Sequence, residues 1–397
     1  MTGIPRLRDY RGPVLLSYGF RPFFLFGALY AGLAVLAWLP MFSGDLQLST
    51  AFSPVDWHVH EMLYGYVPAV VTGFLLTAIP NWTGRLPIQG TPLLVLVSAW
   101  VAGRVCVTFS AETGWLLAAI ADVSFLALVV AAAAREIIAG KNWRNLRVVG
   151  LVTFLLAGNI AFHVEAHVQG TAEYGARIGI AAIVLLIVVV GGRIVPSFTR
   201  NWLARENPGR LPAPVGRFDV AVIGTTAATL ALWIAQPIGR LTGAALAVTA
   251  VLNIVRLARW AGDRTFRDRL VLILHIGYAF VPLGFLLSSG AALDIIMTSA
   301  GVHAWTVGAA GTMTLAVMTR ASLGHTGSTL VASPMTQAIY AAVVIAALAR
   351  ICASLEPASS EVLLHVTAFF WCIAFFGFAA SFGQMLVGKQ RAKSSTQ

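Results

Sequence analysis

Gly179-Ile180-Ala181-Ala182-Ile183-Val184-Leu185-Leu186-Ile187-Val188-Val189-Val190-Gly191-Gly192 contains no charged or strongly polar side chain. With its flanks, residues 175–197, it is long enough to cross the roughly 30 Å of a bilayer's hydrocarbon as a helix. A helix suits that solvent because it satisfies its backbone N–H and C=O groups internally. Outward from this run the same pattern recurs at 20–40, 58–80, 92–110, 114–134 and 148–171 before it. After it come 218–236, 240–260, 268–290, 296–318, 333–354 and 361–387. The chain is 58% hydrophobic and 11% charged, with mean hydropathy +0.80, far from the composition of a soluble domain. The fold class is therefore all-α: a polytopic membrane bundle of about 12 transmembrane helices, spanning residues 1–397 as one domain.

Twelve crossings put both termini on one side, and charge selects the side. Most of the 27 Lys and Arg residues fall in one set of segments between spans. They include Arg6, Arg8, Arg11, Arg85, Arg135, Lys141, Arg144, Arg147, Arg200, Arg205, Arg210 and Arg217. The others are Arg256, Arg259, Arg264, Arg267, Arg269, Arg320, Lys389, Arg391 and Lys393. The acids Asp45, Asp56, Glu112, Glu173, Glu356 and Glu361 lie at or near the opposite loops. This is the positive-inside pattern, so the chain is expected N-in and C-in. The net charge of +11 then belongs to cytoplasmic loops facing anionic lipid and does not indicate a nucleic-acid partner. The first apolar run is long enough to span, which argues against a cleavable signal peptide. Cys106, Cys352 and Cys372 have no paired spacing and read as buried apolar residues. Between spans the chain is short, so any chemistry belongs inside the bundle or at its outer face.

A repeat is suggested by Thr83, Thr199 and Thr319, which are 116 and 120 residues apart and close the second, sixth and tenth spans. Each is followed within two positions by Arg85, Arg200 or Arg320. Three four-helix repeats would give this spacing. Thr-Arg as an ordinary helix ending at the cytoplasmic interface would give it too.

Six of the eight histidines share one half of the membrane: His58 and His60, His163 and His167, His303, and His365. Ionisable groups within spans are costly and usually functional, and imidazole is a common metal ligand. His163 and His167, at i and i+4, share a helix face with Asn159, so they suit one copper ion with His58 as a third ligand. A haem requires ligands from opposed helices, which favours His60, His303 and His365. Glu61 and Asn159 are expected beside the ligands, and Tyr64 and Tyr66 as hydrogen-bond donors to what binds there. Arg104 and Asp122, at similar depth on adjacent spans, read as a structural ion pair. His275 reads as a structural hydrogen bonder, His325 as solvated, and Arg21 and Arg193 as reaching the interface by snorkelling.

Three stretches resemble the NnrS family: Ser17-Tyr18-Gly19-Phe20-Arg21-Pro22-Phe23-Phe24-Leu25, Trp57-His58-Val59-His60-Glu61-Met62-Leu63-Tyr64-Gly65-Tyr66, and Gly73-Phe74-Leu75-Leu76-Thr77-Ala78-Ile79-Pro80-Asn81-Trp82-Thr83-Gly84. The resemblance implies a multi-pass protein of the bacterial inner membrane that contains haem b and copper. It also implies a link to denitrification and the response to nitric oxide, which would be the small-molecule partner. The span count is also similar to the catalytic subunit of haem–copper oxidases, but that subunit's full histidine pattern is absent here and fold analogy alone carries no function. Two function classes stay open: a metal site that binds or turns over nitric oxide, and a transporter or metal-handling protein using the histidines for copper or haem.

Overall fold

The computed structural model describes residues 10–388. Arg6, Arg8, Lys389, Arg391 and Lys393, assigned above to cytoplasmic segments, lie outside them. Among the described residues there is no strand. Eleven helical runs are long and apolar enough to cross a membrane, so the chain is a multi-pass membrane protein. They are α1 (Phe20–Ser43), α2 (Pro54–Thr83), α3 (Thr91–Thr108), α4 (Trp115–Ala139), α5 (Trp143–Gln169) and α6 (Glu173–Glu206), then α7 (Arg217–Ala235), α8 (Arg240–Arg264), α9 (Arg269–Ala292), α11 (Pro334–Leu355) and α12 (Pro357–Val387). Between α9 and α11 a further helical run, α10, covers 298–325. It lies outside the eleven because His303, Thr306, Thr312, Thr314, Thr319 and four glycines dilute its apolar content. The sequence expectation of about twelve spans and the eleven found differ by this one helix.

Local chemistry sets the ends. Ser53 caps α2 by accepting from the Asp56 amide, with Pro54 in the first helical position, where proline's missing N–H costs nothing. Gly44 and Gly170, at φ 88° and 80°, close α1 and α5 in the left-handed conformation that glycine adopts without strain. Arg21 does not snorkel. Its guanidinium is buried and donates to the Leu386 carbonyl at 2.8 Å and the Met385 carbonyl at 3.1 Å, tying α1 to the free carbonyls at the end of α12. The three cysteines are not buried as expected. Cys352 is exposed and the other two are half-buried, because they occupy outward helix faces where hydrocarbon can replace core.

α2, α6 and α10 share a departure from regular helix. Each contains a π-helical segment: Glu61–Tyr66, Ile187–Gly191 and Ala304–Gly311. A π turn departs from the regular i to i−4 ladder, and in each of these segments a side chain donates to a backbone carbonyl. Trp100 donates to Gly65 O at 2.9 Å, Arg256 to Val188 O at 2.9 Å and Thr314 to Ala310 O at 2.7 Å. The three helices that carry the Thr83, Thr199 and Thr319 endings are the same three that carry these turns, which favours the repeat reading over coincidental helix endings.

The same helices bound a column of cavities. One, of about 120 Å³, is lined by His58, Tyr66, His303 and Arg350. A second, of about 90 Å³, shares Val67, Ile183 and Ala310 with it. A third, of about 460 Å³, shares Phe74, Val190 and Val317 with the second and is lined by Arg193 and Arg320. The column runs from the histidine-bearing end of the bundle to the arginine-rich end.

Close helix contact depends on small residues. A Cβ added at Gly175 would sit 2.4 Å from the Phe162 Cα and 2.6 Å from its amide nitrogen, both backbone atoms that cannot swing aside. Gly175→Ala should therefore push α5 and α6 apart and destabilise the protein by about 1–3 kcal/mol or more, read as a lower unfolding midpoint in detergent. An unchanged midpoint would mean that this crossing is not tight.

Candidate metal centre

Four helices deliver one buried polar cluster near the histidine-bearing end. α2 supplies His60 and Glu61, α3 Arg104, α4 Asp122, and α5 Asn159 and His163. All six are at most 5% exposed. Asp122 is the hub. Its Oδ2 lies 2.8 Å from Asn159 Nδ2, 3.0 Å from His163 Nε2 and 3.2 Å from His60 Nε2. Its Oδ1 accepts from Arg104. Arg104 also donates to Glu61 Oε2 at 2.6 Å, and Tyr30 donates to the same oxygen. Glu61 Oε1 lies 2.9 Å from His60 Nδ1. The His60 and His163 rings are 4.8 Å apart at 69°.

This bonding pattern leaves one interaction unresolved. Glu61 is an acceptor, so His60 Nδ1 carries the hydrogen and Nε2 of a neutral ring is a lone pair. That lone pair faces Asp122 Oδ2 and, at 3.2 Å, Asn159 Oδ1. Three acceptors converge with nothing positive between them. The charge count agrees: with both carboxylates ionised, Glu61 and Asp122 outnumber the single guanidinium of Arg104 by one. In a low-dielectric site an uncompensated charge is expensive, so a proton on His60 or a bound cation must complete the cluster. His60, Asp122 and His163 offer ligand atoms that all lie within 4.8 Å of one another, and a carboxylate behind an imidazole is the usual outer partner of a metal-bound histidine.

A pocket of about 160 Å³ leads to this cluster. It is lined by Ala51, Phe52, Ser110, Trp115, His163 and His167. His167 is exposed and stacks on Trp115 with ring centroids 4.0 Å apart and planes at 12°. The expected pairing of His163 with His167 thus places one ring at the cluster and the other at its mouth.

The remaining histidines go elsewhere. Two residues apart on α2, His58 and His60 face different sites. His58 stacks on Trp38 at 4.2 Å and lines the central cavity. His303 lines the same cavity from α10, with its Nδ1 2.7 Å from Ser299 O, so its Nε2 is left as the lone-pair atom. The buried His58 Nδ1 has no hydrogen-bond partner among the described residues. His365 is exposed on α12, its Nδ1 2.9 Å from Glu361 O, and joins neither group. The sequence grouping of His60, His303 and His365, and that of His163, His167 and His58, therefore do not match the spatial grouping, which pairs His60 with His163 and His58 with His303. Helical phase and span order fix depth and face but not which faces meet, and that is where the two differ.

Tyr64 and Tyr66 are committed to the scaffold, donating to Gly175 O at 2.7 Å and pairing with the Thr314 hydroxyl. Glu61 and Asn159 do stand beside the imidazoles. The Arg104–Asp122 pair is present, and sequence reading missed that it belongs to the same buried cluster as His60 and His163. The signal available was its depth, shared with His163 and Asn159 on the next helix. Arg350 on the central cavity was also missed, with no sequence signal beyond its charge. His275 is bonded as expected, 2.8 Å from Thr199 Oγ1. His325, expected to be solvated, is half-buried with its ring 5.6 Å from those of Tyr18 and Phe20.

Among families of known proteins, the model described as NnrS protein matches residues 14–390. No curated protein matches the chain.

Proposed function

Since the chain belongs to the NnrS family, we propose that it is a metal-binding membrane protein of nitric oxide metabolism or nitrosative-stress defence. In this reading His60, His163 and Asp122 hold the ion, and nitric oxide or a related small oxide reaches it through the pocket beside Phe52 and His167. The observation that carries the reading is the His60 Nε2 lone pair aimed at two acceptor oxygens, a place that a cation fills.

Each residue has a distinct task. Glu61 fixes the His60 tautomer so that Nε2 points inward. Asn159 donates to the Asp122 oxygen shared by both imidazoles, orienting it. Arg104 ties Glu61 and Asp122 together and neutralises one of them. Phe52 and Phe162 pack against the His60 ring at 5.2 and 5.1 Å and keep the far side dry. An all-nitrogen-and-oxygen donor set with two imidazoles suits copper, zinc or iron, and copper is the choice that the family resemblance favours. When bound, the ion supplies an open coordination position and redox chemistry, while the protein supplies placement and access.

For haem b, donor chemistry is present at the central cavity: His58 and His303 on different helices, with Arg350 as a cation for a propionate. The space does not match. A cavity of about 120 Å³ is that of a small ligand, close to the roughly 150 Å³ that holds benzene, and haem is assigned no step here.

The excess of Lys and Arg at the other end of the bundle supports placing the metal centre at the periplasmic face of a bacterial inner membrane, N-in and C-in as one domain. Passage of copper cations through the central column is disfavoured, because the fully charged residues lining it are Arg350, Arg193 and Arg320, which repel cations.

The test is metal content. Protein purified with copper supplied should retain the metal, and His60→Ala with His163→Ala should lose it. His58→Ala with His303→Ala should leave it unchanged. Copper retained by the first pair and lost from the second would move the site to the central cavity and overturn the assignment.

A further inference from the structure

The cavity at the arginine-rich end, about 460 Å³, is the roomiest of the column. Its cations come from two helices: Arg193 from α6 and Arg320 from α10. Asn81 from α2 adds an amide between aromatic walls formed by Phe74, Trp82 and Phe198. Among the described residues no aspartate or glutamate lines it. Among the described residues neither arginine makes a salt bridge. Arg193 donates only to Asn145 Oδ1, at 3.2 Å, and Arg320 lies over the Phe198 ring at 4.1 Å. By contrast, the buried Arg104 and Arg256 each have a carboxylate partner.

We propose that this cavity binds a phosphate group, with Arg193 and Arg320 as its cationic clamp. Two half-buried guanidinium groups face one space, and no described carboxylate stands within salt-bridge distance of either, Arg320 being influenced by Asp268 only from outside the cavity lining; such a pair favours an anion between them. Guanidinium forks match the oxygens of phosphate and carboxylate. Donors arriving from three helices surround a tetrahedral group better than a planar one, which selects phosphate. The volume exceeds what a bare ion fills, and the aromatic walls suit an attached organic body. That body is either a soluble phosphate ester or the headgroup of a phospholipid. The proposal is independent of the metal centre, which lies at the opposite end of the bundle.

The experiment follows thermal unfolding of the full-length protein, purified in phosphate-free detergent. Inorganic phosphate and, separately, phosphatidylglycerol in mixed micelles serve as the probes, with sodium chloride at matched ionic strength as the control. A dose-dependent rise in the unfolding midpoint beyond the chloride control is expected with at least one probe. A rise with phosphate indicates a soluble source, and a rise with the lipid alone indicates a headgroup. Arg193→Gln with Arg320→Gln should abolish the shift while copper content stays unchanged. Should that variant fail to fold, Arg193→Lys with Arg320→Lys keeps the charges but loses the forks, and half-saturation should move to several-fold higher probe concentration. No rise in the wild type with either probe, a rise matched by chloride, or a shift that survives loss of both arginines would each overturn the proposal.

Discussion

Asp122→Asn should lower copper affinity by at least about 100-fold, since removing even outer partners of metal ligands costs 10–100-fold and here the central carboxylate itself is lost. The asparagine keeps the shape of Asp122 but removes the charge that leaves the cluster one positive charge short. Glu61 and Arg104 then balance each other, and nothing electrostatic draws a cation between His60 and His163. Stability without metal should change little or rise, because neutralising an imperfectly compensated buried charge is often neutral or favourable. Competition titration against a copper chelator, alongside thermal unfolding of the metal-free protein, separates the two effects. Unchanged affinity would exclude Asp122 as a ligand, whatever happens to stability.

Arg104→Met should have the larger effect on folding. Among the described residues Arg104 is the one guanidinium that reaches both Glu61 and Asp122, and methionine replaces its bulk without its charge. Breaking a single buried pair typically costs about 3–5 kcal/mol, and here two carboxylates at most 1% exposed lose the same partner. The expected result is poor accumulation in the membrane and a markedly lower unfolding midpoint. Added copper should restore part of that loss, because an ion at His60, Asp122 and His163 supplies the missing positive charge. A variant as stable as the wild type would mean that the carboxylates are not ionised together, and the charge argument for the metal centre would fall with it.

Most of the architecture was legible in the sequence because length and apolarity suffice to define a spanning helix. The exception is instructive. α10 is the helix whose threonines and glycines weaken its apolar signal, and those residues are there because the helix is internal: it faces cavities and neighbouring helices more than lipid. Within the metal centre each half was readable alone. His163 with Asn159 formed one stripe, and Arg104 with Asp122 one pair at matching depth. Their meeting was not readable, since it depends on how α3, α4 and α5 rotate against α2. The divergence of His58 and His60 followed from their spacing, but their partners did not. His303 faces His58 only because α2 and α10 both border the central column, a packing fact with no local signature.

The π segments of α2, α6 and α10 carry a consequence for how such a helix is indexed. A regular helix advances about 100° per residue, so one inserted residue offsets everything before it against everything after it. In α2 the offset lets His60 and Glu61 face α3, α4 and α5 while Phe74 and Asn81, further along, face the column of cavities. The two halves are phased separately, as two gears on one shaft. Deleting a single residue within Glu61–Tyr66 would restore uniform pitch and swing His60 off Asp122 without touching any ligand side chain. The geometry of the candidate metal centre is therefore set by residue count as much as by residue identity. Removing Met62 or Leu63, neither of which contributes a polar group to the cluster, would disturb it through helix phase alone.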